Sequence, residues 1–109
     1  MYIIVECYYN HGESSIEKVE EKNIRNYCLT KIIEYGNDLG FDNKLSKTDS
    51  ENLKCYNHAL MEIKSTIEGH YTLDRLVEIL IDMGNMMINE QLDYGIRYII
   101  KGENIKVFE

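Results

Sequence analysis

The sequence predicts an α+β domain: a three-stranded antiparallel sheet, made from an N-terminal strand plus a C-terminal hairpin, packed against three helices. Three observations carry that prediction. β-branched and aromatic residues open and close the chain. The stretch between them repeats apolar residues at steps of three and four. The 109 residues suffice for one hydrophobic core but not for two, and no repeat or low-complexity linker divides them, so residues 1–109 read as a single domain.

The first strand runs from Tyr2 to Tyr9 and is closed by the turn formers Asn10, His11 and Gly12. Ile3, Val5, Cys7 and Tyr9 fall on one face and Tyr2, Ile4, Glu6 and Tyr8 on the other. Both faces are largely apolar, which places this strand inside a sheet. Ser14-Ser15-Ile16-Glu17 has capping-box spacing and predicts a helix from Ser14, with apolar positions Ile16, Val19, Ile24, Tyr27, Cys28 and Ile32. One step of five, between Val19 and Ile24, marks a kink or break. Gly36 to Gly40 ends that helix, and Leu39 and Phe41 in the following turn-rich stretch are expected to fold back onto the core.

A second capping box, Thr48 to Glu51, precedes Leu53, Tyr56, Leu60, Ile63 and Ile67, the most regular helical stripe in the chain, with Gly69 as its C-cap. Thr72 caps a third helix carrying Leu73, Leu76, Val77, Leu80, Met83 and Met87, widened by Ile79, Ile81, Met86 and Ile88. It reads as the most buried helix, and Gly84 inside it marks close packing, a kink or an early end. Tyr94–Lys101, a turn at Gly102-Glu103-Asn104 and Ile105–Phe108 read as the closing hairpin.

Composition narrows function. The longest wholly apolar runs are three residues, far short of the roughly 20 that span a bilayer. The start Met1-Tyr2-Ile3-Ile4-Val5-Glu6 fits neither a signal nor a transit peptide. Three irregularly spaced cysteines read as reduced thiols, and together these features predict a cytoplasmic protein. A net charge of −7 repels phosphate backbones, so direct nucleic-acid binding is not expected. One alanine, Ala59, no proline or tryptophan, and abundant Ile, Asn, Lys and Tyr match AT-rich coding sequence, pointing to a low-GC bacterium or its phage.

Cys7 with His11 and Cys55 with His58 place thiols near imidazoles, but neither spacing matches a zinc knuckle or finger. Cys7 shares its face with Ile3 and Val5, and Cys28 lies on a helical apolar stripe, so both read as inert core thiols. Cys55 and His58 fall opposite Leu53, Leu60 and Ile67 and are expected at the surface. Gly36 and Gly40 do not form a phosphate loop, and no hydrolase or EF-hand motif occurs. The sequence therefore predicts no enzyme, no catalytic residue, no metal and no cofactor.

The acidic residues carry more information. Asp74, Glu78 and Asp82 stand at steps of four along the third helix, and Glu13, Glu17 and Glu21 repeat that spacing in the first. Like charges so placed cost a few tenths of a kcal/mol per pair, which Arg25 and Arg75 offset only in part. These six residues are the candidate partner-binding positions. Nine tyrosines are too many for so small a core to bury and add interface-forming side chains.

No stretch matches a family motif residue by residue. In being short, acidic, tyrosine-rich and free of catalytic signature, the chain resembles small phage-encoded inhibitors of bacterial defence, including anti-CRISPR-type proteins. The reading that follows is a non-catalytic inhibitor that occupies a basic, nucleic-acid-binding surface of a larger protein, with nucleic-acid mimicry as one form it can take. The alternatives are a regulatory or structural domain that dimerises through the sheet edge at Ile105–Phe108, and a small enzyme or zinc protein using Cys7 and His11.

Overall fold

In the computed structural model of the chain, residues 1–8, 14–43, 50–64, 69 and 71–104 are described. The element order is β1 (Tyr2–Tyr8), β2 (Ser14–Val19), α1 (Glu21–Asp38), α2 (Ser50–Lys64), α3 (Leu73–Asn89), β3 (Tyr94–Lys101) and a short 3-10 turn, Gly102–Asn104. The fold is α+β, with a three-stranded antiparallel sheet in the order β2-β1-β3. The three-stranded sheet and the three helices match the sequence reading, and β1 is the central strand, as its two apolar faces predict.

The origin of the third strand differs. The N-terminus forms a hairpin, and β2 occupies the segment where a helix from Ser14 is predicted. Ser14 to Val19 pairs with β1 in unbroken register, Val5 opposite Ile16 and Tyr2 opposite Val19. Capping-box spacing is a local signal worth about 1 kcal/mol, and a whole ladder of inter-strand hydrogen bonds outweighs it. The five-residue step between Val19 and Ile24 is the junction where β2 gives way to α1. The C-terminal hairpin is corrected too: β3 pairs with β1, and Ile105–Phe108 lie outside the described residues, as do His11, Glu13, Thr48, Asp49 and Ile67.

One face of the sheet meets the helices. Ile4 is fully buried and Glu6 nearly so, and Ile96 opposite Glu6 is fully buried. Helix α1 contributes Ile24, Cys28, Leu29, Ile32 and Tyr35 to the core, and α3 contributes Leu76, Ile79, Leu80, Met83 and Met87. Each such aliphatic side chain gains roughly 1.5–3 kcal/mol from leaving water. Phe41 is buried and Leu39 half-buried, as predicted.

Thr72 Oγ1 accepts from the Arg75 amide at 3.2 Å and so caps α3. Gly84 marks close packing: a Cβ there would stand 2.5 Å from the Ile96 nitrogen, and one on Gly95 would overlap the Gly84 carbonyl. This glycine pair lets α3 rest directly on the β3 backbone. Helix α2 presents Asn52, Cys55, Tyr56 and Ala59 inward, while Ile63 is exposed and Leu53 and Leu60 are half-buried. Tyr56 of the predicted stripe is buried as expected, but the rest of the buried face is rotated from Leu53, Leu60 and Ile63 toward Asn52, Cys55 and Ala59. Cys55, predicted at the surface, is completely buried. Arg25 clamps α2 onto α1 through a two-pronged bond to Glu62, at 2.7 and 3.2 Å.

Candidate functional site

The predicted acidic positions separate into two unlike groups. Glu17 lies on β2, where its carboxylate accepts from the Tyr27 hydroxyl at 3.5 Å, and Glu21 opens α1 with its carboxylate 3.7 Å from the N-terminal ammonium. Glu13 is outside the described residues. The first helical ridge is therefore corrected: Glu17 and Glu21 sit on different elements and share no helix face.

Asp74, Glu78 and Asp82 do lie along α3, and all three are exposed. Beside them runs a groove of about 340 Å³ between α2 and α3, lined by Glu51, Asn52, Arg75, Glu78, Ile79 and Asp82. Arg75 bridges the two helices, reaching Glu78 at 2.9 Å and Glu51 at 3.2 Å. Its own affinity for a proton rises, first through those hydrogen bonds to Glu78 and Glu51. Deeper in, the nearly buried Asn52 amide donates to Asp82 Oδ2 at 2.8 Å. Glu51 and Glu78 thus flank the Arg75 guanidinium, Asp82 lines the same groove and is held by Asn52, and the exposed Asp74 lies on α3 one turn before Glu78. Such a surface attracts cations and rejects polyanions.

A second polar cluster lies under the sheet. Glu6 accepts from the Tyr27 hydroxyl at 3.1 Å and stands 3.5 Å from Lys31 Nζ, which also meets Glu34 at 3.3 Å. Lys31 lies over the rings of Tyr27 and Tyr94 at 5.8 and 5.3 Å. Burial alone would lower the Lys31 pKa, but Glu6, Tyr94 and Glu34 outweigh it and the net shift is upward. Burial followed by the Glu6 charge pushes the Tyr27 and Tyr35 phenols well above their ordinary value. The Tyr35 hydroxyl is buried without a hydrogen-bond partner among the described residues.

The thiols are chemically quiet where they are deepest. Burial pushes Cys28 and Cys55 up to about 12. Cys7 is half-buried, less enclosed than predicted, and its sulfur accepts from the Ser14 hydroxyl at 3.7 Å. His58 is half-buried with its ring 5.4 Å from Tyr71, rather than presented with Cys55 to solvent. Among the described residues no three His, Cys, Asp or Glu side chains converge as a metal site, and no helix is long and apolar enough to cross a membrane.

The sequence reading missed Glu51, Asn52 and Arg75 as parts of one groove, and Glu6 with Lys31 as one pair. Glu6 carried a signal, being the lone charge in an apolar strand. Asn52 and Arg75 carried none, because their roles depend on how α2 meets α3. Neither a family model, nor a curated protein, nor a solved structure matches this chain.

Proposed function

We propose that this chain is a non-catalytic protein-binding module that presents the acidic α2–α3 groove to a basic, nucleic-acid-binding surface of a larger partner, in the manner of phage inhibitors of bacterial defence. The observation that carries the reading is the groove itself: Glu51, Glu78 and Asp82 line it with one arginine, Arg75, and the exposed Asp74 lies one turn before Glu78 on the same helix. Arg75 is already engaged on both sides, so the remaining negative charge is available to a partner's lysines and arginines. The net charge of −7 supports the same reading by raising encounter rates with a basic surface. In this reading the module works in the bacterial host cytoplasm and needs no cofactor. Occupying the groove's partner also excludes nucleic acid from it, which makes binding itself the inhibitory act.

The test is capture from a low-GC bacterial lysate with the wild-type chain and with the Asp74→Lys/Glu78→Lys chain. Asp82 is left intact because it also holds Asn52. Supporting the proposal requires a basic, nucleic-acid-binding protein that is retained by the wild type, lost with the variant and released by salt. Equal retention by both chains would refute the groove as the docking surface.

A further inference from the structure

We propose that an extended segment of a partner protein, carrying an acidic side chain, adds to the sheet at the outer edge of β2, in the groove between that strand and α1. The groove holds about 610 Å³ and is lined by Glu17 to Glu20 and by the α1 wall from Lys22 to Lys31. Glu17 and Lys18 are neighbours in a strand and so point to opposite faces of the sheet. A space that touches both, and no residue of β1, lies at the sheet's edge. β2 pairs with β1 alone, so along its outer edge alternate residues turn N–H and C=O outward. No backbone hydrogen bond among the described residues takes up these groups. Their complement is another extended backbone, and strand addition at an open edge is a recurring mode of peptide recognition.

The other edge of the sheet is blunted. There the register shifts between Val5 and Glu6 and leaves Arg97 of β3 as a bulge, and α3 rests on the β3 backbone at Gly84 and Gly95. β2 instead pairs in unbroken register and has a groove beside it. From Lys22 to Lys31 the α1 wall is about 14 Å long at about 1.5 Å per residue. That is the length of about four residues of extended chain at about 3.3 Å each. Asn23, Asn26 and Thr30 stand exposed on this wall and make no side-chain hydrogen bond among the described residues. A carboxamide both donates and accepts, as a peptide group does, so the wall suits a polypeptide backbone. Charge selects the side chain. In a chain of net charge −7, the groove sets three lysines against two glutamates. Glu17 is engaged by the Tyr27 hydroxyl at 3.5 Å and Glu20 by Lys22 at 3.4 Å. Lys18 pairs with no carboxylate among the described residues, and a carboxylate on the added strand complements it.

The experiment is selection of a displayed library of random decapeptides on the intact chain, followed by titration of the selected peptides by fluorescence anisotropy. Acidic peptides are expected to emerge. They should bind about tenfold or more weakly to Lys18→Glu and to Asn26→Trp, which fills the groove from the α1 side. Both substitutions are at exposed positions, and circular dichroism checks that the variants fold. Methylating the peptide's backbone nitrogens one at a time should abolish binding at alternate positions only, the period of strand pairing. Asp74→Lys/Glu78→Lys should not weaken binding, because the two grooves share no residue. This proposal and the inhibitory function therefore fail separately. No enrichment of acidic peptides, binding indifferent to nitrogen methylation, or equal binding by wild type, Lys18→Glu and Asn26→Trp would each overturn the proposal. So would a dimer in sedimentation velocity that Asn26→Trp dissolves, which would give the edge to a second copy of the chain.

Discussion

Glu6 on the central strand and Lys31 on α1 stand 3.5 Å apart under the sheet, with the Tyr27 hydroxyl donating to the same carboxylate at 3.1 Å. The pair joins the strand that organises the sheet to the helix that covers it. Removing one partner strands the other in a poorly solvated place, which costs more than the pair contributes. Lys31→Met is therefore expected to destabilise the fold by about 3 kcal/mol. Glu6→Gln, which keeps an acceptor for Tyr27, costs less, about 1–2 kcal/mol. Urea unfolding of the two variants checks the order.

The same cluster sets the alkaline limit of stability. The Tyr27 and Tyr35 phenols are raised in the folded state, first by burial. Unfolded tyrosines lose their protons near pH 10, so the unfolded state then binds fewer protons than the native one and stability falls as pH rises. Lys31, also raised, acts in the same direction: its contribution is complete below the ordinary lysine value of about 10.4 and is lost above it. Thermal melts at increasing pH should show a decline that begins near pH 10, with phenolate absorbance from Tyr27 and Tyr35 appearing only as the protein unfolds.

The glycine pair between α3 and β3 makes a sharper test of packing. Helix propensity alone favours Gly84→Ala by about 1 kcal/mol. The structure predicts the opposite sign, because the new Cβ would stand 2.5 Å from the Ile96 nitrogen and 2.6 Å from its oxygen. Displacing strand backbone costs about 1–3 kcal/mol, so Gly84→Ala should lower the melting temperature. A rise would show that α3 does not rest on β3 as described.

Thiol labelling tests the burial of the core independently. Cys28 and Cys55 are fully buried, with thiols pushed up to about 12, while Cys7 is half-buried. At mildly alkaline pH the native protein should label at Cys7 alone. All three cysteines should label in denaturant. Intact-mass spectrometry counts the labels, and peptide mapping locates them.

Much of the fold was legible because its signals are local. Thr72 caps α3, and Leu76, Leu80, Met83 and Met87 trace its buried side as their spacing predicts. The apolar faces of Tyr2–Tyr8 announced a central strand. What misled was a local signal overruled by a partner elsewhere. Ser14 to Glu17 has the spacing of a helix start, yet β1 needed a neighbour and the adjacent segment supplied it. On α2 the larger Leu53 and Leu60 looked like the buried stripe, but Cys55 and Ala59 are small enough to let neighbouring helices approach and so occupy the contact. The groove was half legible. Asp74, Glu78 and Asp82 follow from helical spacing, whereas Asn52 reaching Asp82 and Arg75 reaching Glu51 join residues 30 and 24 positions apart, which no spacing reveals.

The most direct test of the acidic groove as an inhibitory surface is a competition titration at several salt concentrations. The basic protein that the proposal expects the chain to capture is mixed with labelled nucleic acid and titrated with wild type or with the Asp74→Lys/Glu78→Lys chain. The predicted result is displacement of nucleic acid by the wild type, weakened by salt as expected for charge-driven docking, and at least about tenfold weaker for the variant. Displacement that is equally strong with both chains, or binding of the captured protein with no displacement, would contradict it.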